Sequence, residues 1–125
     1  MSINLLTAWL GFLLGCLAGA IVGLFFHQPD WCGGYSSWRR RMIRLAHIAF
    51  FGIGFLNLSY ALTVGLLGPW AASRTVSWLL ILGAVAMPAV CYLAAWRTPF
   101  RHLFFIPAGA VTTAIILFVW RILTA

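Results

Sequence analysis

Four long apolar stretches, separated by short polar or turn-forming breaks, make up almost the whole chain. They run from Leu5 to Phe26, from Met42 to Leu67, from Thr75 to Trp96 and from Leu103 to Leu123. Each has about the 20 mostly apolar residues that a helix needs to cross roughly 30 Å of hydrocarbon. The breaks carry turn signals: Gln28-Pro29-Asp30 with Gly33-Gly34, then Gly68-Pro69, then Thr98-Pro99. No stretch alternates with the period of two that marks a small barrel. A bilayer core has no water to satisfy backbone groups, so helices that bond internally are the expected form. The pattern predicts an all-α, integral membrane four-helix bundle, a single membrane domain over residues 1–125. The first stretch lacks a positively charged start and exceeds the apolar length of a signal peptide, so it reads as a mature helix.

Composition sharpens that picture. Hydrophobic residues make up 64% of the 125 and charged residues 7%, with a mean hydropathy of +1.04. A soluble domain is usually about a quarter charged, so a water-soluble globule is excluded. Eight arginines, no lysine and one acid, Asp30, give a net charge of +7. Such a balance would suggest nucleic acid in a soluble protein. Here the arginines sit between apolar runs, where the electrostatics of the bilayer accounts for them, and nucleic acid is set aside.

The arginines also predict an orientation. Arg39, Arg40, Arg41, Arg44, Arg97 and Arg101 fall in or beside the first and third connections, and only Arg74 and Arg121 on the opposite side. The positive-inside rule places connections 27–41 and 97–102 in the cytoplasm and both termini outside, as in a bacterial inner membrane. Trp9, Trp70, Trp78 and Trp120 then mark one boundary, and Trp31, Trp38 and Trp96 the other, as aromatic belts do.

Along the first helix Gly11, Gly15, Gly19 and Gly23 recur every four residues. Each step turns the helix by about 400°, so the four stay on one face and let another backbone approach closely. The partner is either another helix of this chain or a second subunit. Pro88 and Pro107 are expected to bend the third and fourth helices. Of the polar residues within the spans, Asn57 is the most costly to bury and should find a partner. Ser59, Tyr60, Thr63, Thr112 and Thr113 read as interhelical bonding groups.

No Asp, Glu, Lys or Arg lies near the middle of a span, whereas proton-coupled transporters rely on such groups. Cys16, Cys32 and Cys91 form no CxxC motif, which disfavours thiol–disulfide chemistry. His27, His47 and His102 all fall toward the arginine-rich end. His47 shares a face with Arg40 and Arg44, and Phe51 and Gly54 continue it inward. Two imidazoles on different helices beside an aromatic, glycine-lined slot are the ingredients of a haem b site. His47 and His102 are its candidate ligands, with Arg44 and Arg101 as candidate propionate partners. The competing reading is three interfacial histidines without metal. A small metal site from His27, Asp30 and Cys32 has only unspecific spacing.

The first connection, 27–41, is too aromatic for a flexible linker and ends in three arginines. Trp31, Trp38, Arg39, Arg40 and Arg41 suit either lipid headgroups or a partner protein, and Asp30 is expected to pair with one of the arginines. No carboxylate pair, activated nucleophile or phosphate-cradling loop points to independent catalysis. The functional expectation is a small accessory or anchor subunit of a larger membrane complex, of respiratory or photosynthetic electron-transfer type. The alternatives are a self-contained haem b electron carrier and a small oligomeric channel or facilitator.

Overall fold

In a computed structural model, residues 2–125 are described, and four helices account for most of them. α1 spans Ile3–Phe25, α2 Trp38–Leu67, α3 Arg74–Trp96 and α4 Phe105–Leu123. No strand occurs among the described residues. All four are long and apolar enough to cross a membrane, α4 together with the 3₁₀ turn that precedes it.

Helix starts follow local chemistry more closely than hydropathy. α2 begins at Trp38, ahead of the apolar stretch, because the Ser37 side chain accepts a hydrogen bond from the Arg40 amide. Such a cap satisfies one of the first-turn N–H groups that have no intrahelical partner. Ser73 does the same for α3 through the Val76 amide. Ahead of α4 the chain winds as a 3₁₀ turn over Thr98–Phe104. Pro107 therefore sits in the first turn of α4, where its missing N–H costs nothing. Pro88 is buried inside α3, which runs on as one helix through it.

The helices alternate in direction, so α1 and α3 end where α2 begins. α2 and α3 form the central pair; α1 leans mainly on α2, and α4 mainly on α3. The glycine face of α1 is directed at α2. A Cβ on Gly15 would stand 2.6 Å from the Phe51 ring, one on Gly19 2.5 Å from the His47 ring, and one on Gly11 3.1 Å from the Phe50 carbonyl oxygen. Gly23, the last of the series, has open space beside it. On α2, Gly54 returns the arrangement by receiving the Phe12 ring. Between α2, α3 and α4, Tyr60, Val76, Leu80 and Ala114 form the buried apolar cluster.

Candidate functional site

Two polar constellations lie inside this apolar bundle, one toward each end. Toward the end that holds the chain termini, Asn4 of α1, Asn57 of α2 and Ser77 of α3 converge. The Asn4 amide donates to Asn57 Oδ1 at 2.8 Å and to the Ser77 carbonyl at 3.3 Å, and the Ser77 hydroxyl donates to Asn4 Oδ1. The Asn57 amide donates in turn to the carbonyls of Ile53, at 3.0 Å, and Leu80, at 3.2 Å. Asn57 is fully buried and Asn4 is 1% exposed. A buried amide is costly unless hydrogen-bonded, and this network ties three helices at one point. At the same end Tyr60 Oη donates to the Ser73 carbonyl and accepts from the Ser73 amide.

The arginine-rich end is organised by three consecutive residues at the start of α2. Trp38 Nε1 donates to the Ala94 carbonyl at 2.8 Å, and Arg39 Nε to the Ala95 carbonyl at 3.1 Å. Both acceptors lie in the last turn of α3, where carbonyls lack intrahelical partners. Arg40 turns the other way and does the same for α1. Its guanidinium donates to the carbonyls of Phe26, Gln28 and Pro29. The same group lies 4.4 Å from the centre of the Phe26 ring, with the Trp31 and Tyr35 rings at 5.5 and 5.4 Å. Arg40 is 1% exposed, and only its Nε is left without a partner. A cation at a helix C-terminus meets the negative end of the helix dipole, and aromatic faces add cation–π attraction.

The connection between α1 and α2 is shaped to enclose Arg40. Cys32 takes the left-handed conformation, with φ of 55°, and Gly33 and Gly34 follow with φ of 86° and 98°. This reversal lets the Ser37 hydroxyl donate to the Cys32 carbonyl at 2.7 Å. Trp31 stacks on Phe25 at 5.8 Å. Asp30 does not pair with an arginine: it is exposed, and Arg40 is satisfied by backbone carbonyls and rings. The geometric reason is that the carbonyls of Phe26, at the end of α1, and of Gln28 and Pro29, just beyond it, converge where a single side-chain carboxylate would otherwise have to reach.

Neither a family model, nor a curated protein, nor a solved structure matches this chain. What the chain can do must therefore be read from its own geometry.

The candidate haem residues are not brought together. His47 lies between α2 and α1, its ring seated over Gly19 and edge-on to Phe51 at 5.4 Å. His102 is exposed on the α3–α4 connection. The aromatic and glycine-lined slot is closed by α1, with Phe12 filling the space over Gly54 and Phe51 that over Gly15. Arg44 stacks on Tyr35 at 4.4 Å and donates to its carbonyl, and Arg101 is exposed. These residues do not fit a haem. No group of three metal-ligating side chains occurs among the described residues, so His27, Asp30 and Cys32 do not form such a site.

Of the connection residues, Trp38, Arg39 and Arg40 are engaged within the chain. Arg41 is exposed, with its guanidinium 5.8 Å from the centre of the Trp38 ring. Sequence reading missed Asn4 and Ser77 as polar partners. Their available signal was that Asn57 needs one, and that each lies in the first turns of a helix ending on the same side.

Beside these constellations runs an apolar groove between α1 and α3, floored by Phe50 of α2. One part, about 420 Å³, is lined by Leu10, Gly11, Leu14, Ala84, Val85 and Pro88 among others. The next, about 550 Å³, continues past Leu17, Ala18, Ile21 and Val22 to Trp31 and Ile43. Leu14, Phe50 and Tyr92 line both parts, so the two are continuous.

Proposed function

We propose that this chain is a non-catalytic accessory or anchor subunit of a larger membrane complex. The observation that carries the reading is the outward face of α4. Gly109 has nothing within 4 Å of a Cβ placed on it, and Thr112 and Thr113 are exposed. Thr7, Thr63 and Thr124 each donate to the carbonyl four residues back. Thr112 and Thr113 make no side-chain hydrogen bond among the described residues. A small residue beside unsatisfied hydroxyls on a lipid-facing helix is the composition of a helix–helix contact surface. By contrast, the side chains of Asn4, Asn57 and Arg40, buried within the bundle, are engaged in holding the bundle itself, and of the buried ring nitrogens only His47 Nδ1 lacks a partner among the described residues.

The arginine asymmetry supports connections 27–41 and 97–102 on the cytoplasmic side of a bacterial inner membrane, with both termini outside. A Gln28→Cys variant lacking the native cysteines should then react with an impermeant thiol reagent only from the cytoplasmic face. Labelling from the opposite face would reverse the orientation.

The parent assembly in this reading is an electron-transfer complex of respiratory or photosynthetic type. Its test is an oxidised-minus-reduced visible spectrum of the gently solubilised protein, followed through a sizing column. A redox-active band that travels with larger partners supports the assignment. A colourless assembly removes electron transfer from it. A band on the isolated chain replaces the accessory role with that of a haem carrier.

A further inference from the structure

We infer that the groove between α1 and α3 is a binding site for an anionic glycerophospholipid, with one acyl chain along the groove and the phosphate at its arginine-rich mouth.

The shape comes from how α1 is held. α1 meets α3 through Asn4 and Ser77 at one end and otherwise leans on α2. Toward the other end the space between α1 and α3 is floored by Phe50 and Ile43 and flanked by Trp31. From Thr7 to Val22 the groove follows about 22 Å of α1, at about 1.5 Å per residue. Its walls are almost wholly aliphatic and aromatic, and it opens sideways. In an apolar span such an opening faces lipid, so a hydrocarbon chain is its natural occupant.

The mouth supplies the charge that selects the headgroup. Arg39 lies one helical turn beyond Ile43 on α2, on the same face. Its Nε is held by the Ala95 carbonyl, one turn beyond Tyr92 on α3. That bond fixes the guanidinium between α2 and α3. Arg39 is exposed, and its two terminal nitrogens make no bond among the described residues. A guanidinium held by Nε with both terminal nitrogens free presents the paired donors that match a phosphate. It also stands in the first turn of α2, at the positive end of the helix dipole. Tyr92, which lines both parts of the groove, makes no side-chain hydrogen bond among the described residues. Asp30, the one acid in the chain, is outnumbered at this end by Arg39, Arg41 and Arg44.

The test uses the full chain, purified in mild detergent and delipidated. Phosphatidylglycerol or phosphatidylcholine of the same acyl composition is then added, with native mass spectrometry and thermal denaturation as readouts. The wild type should retain one phosphatidylglycerol and gain thermal stability from it, with a weaker response to phosphatidylcholine. Arg39→Gln should bind phosphatidylglycerol about tenfold more weakly and lose the preference between the two lipids, as expected for one charge-assisted contact. Ala89→Phe fills the groove from its open side without removing a bond. It should abolish retention of either lipid while the lipid-free melting temperature stays unchanged. Equal responses to the two lipids, or retention of phosphatidylglycerol by Ala89→Phe as in the wild type, would overturn the site. So would co-purification of a neutral isoprenoid, or of a second copy of the chain, in place of the phospholipid.

Discussion

Asn4 and Asn57 lie 53 residues apart in sequence and meet amide to amide at 2.8 Å, on different helices and out of contact with solvent. With Ser77 they fix where α1 stands against the α2–α3 pair, and so they set the register of every glycine contact along α1. Interhelical hydrogen bonds in membranes contribute about 0.6 kcal/mol on average and up to about 1.7 kcal/mol. Asn4→Ala leaves Asn57 Oδ1 and the Ser77 hydroxyl without a partner, and Asn57→Ala leaves the Asn4 amide only the longer bond to the Ser77 carbonyl. Each single variant should therefore lower stability in detergent by about 1–2 kcal/mol. The double variant should lose less than the two added together, because one deletion already orphans the other side chain. A thermodynamic cycle by chemical denaturation reads the difference directly; strict additivity would show that the two amides are not coupled.

Gly15, Gly19 and Gly23 share a face of α1 and differ in what stands opposite. A methyl group at Gly19 collides with the His47 ring, and one at Gly15 with the Phe51 ring. Forcing volume into a packed contact costs about 1–3 kcal/mol. Gly19→Ala and Gly15→Ala should lower the melting temperature, and Gly23→Ala should leave it unchanged or raise it slightly, since alanine is the better helix former. Thermal denaturation of the three variants in one detergent settles the ordering. Equal behaviour of Gly19→Ala and Gly23→Ala would remove the close approach of α1 to α2.

Arg40 holds the carbonyls of Phe26, Gln28 and Pro29, at and just beyond the end of α1, within a cage of Phe26, Trp31 and Tyr35. A lysine keeps the charge but offers a compact ammonium that cannot span the same acceptors or stack on the rings in the same way. Arg40→Lys should lose about 1–3 kcal/mol through buried carbonyls left unbonded. Because Arg40 anchors connection 27–41, protease cleavage there should also accelerate. Arg41→Lys, at an exposed position, should change neither readout. Wild-type cleavage rates in Arg40→Lys would show that the guanidinium does not organise the connection.

The four spans were legible in the sequence because twenty apolar residues in a row admit little else in a bilayer. The glycine face of α1 was legible too, but not its partner, since a glycine records that something comes close without recording what. Asn57 announced a need for a bonding partner, and no spacing rule pointed to Asn4, which stands at the very start of α1. The role of Arg40 was hidden for a different reason. In sequence it is the middle of three arginines that look interchangeable, and only the path of the connection sends it inward while Arg41 stays exposed. Of the residues that resembled a haem site, only His47 and Arg44 share a helical face, and the His47 ring is covered by α1, whereas His102 and Arg101 stand exposed on the α3–α4 connection.

The central functional claim is that α4 carries a partner. The direct measurement is the size and composition of the complex released from native membranes by mild detergent, for the wild type and for Gly109→Leu and Thr113→Leu. Gly109 has open space where a side chain would stand and Thr113 is exposed, so the melting temperature of the isolated chain should not fall. The account predicts that the wild type elutes with partner chains in fixed stoichiometry and that both variants elute without them. A wild-type chain that elutes alone, or variants that keep the same partners at the same stoichiometry, would contradict it.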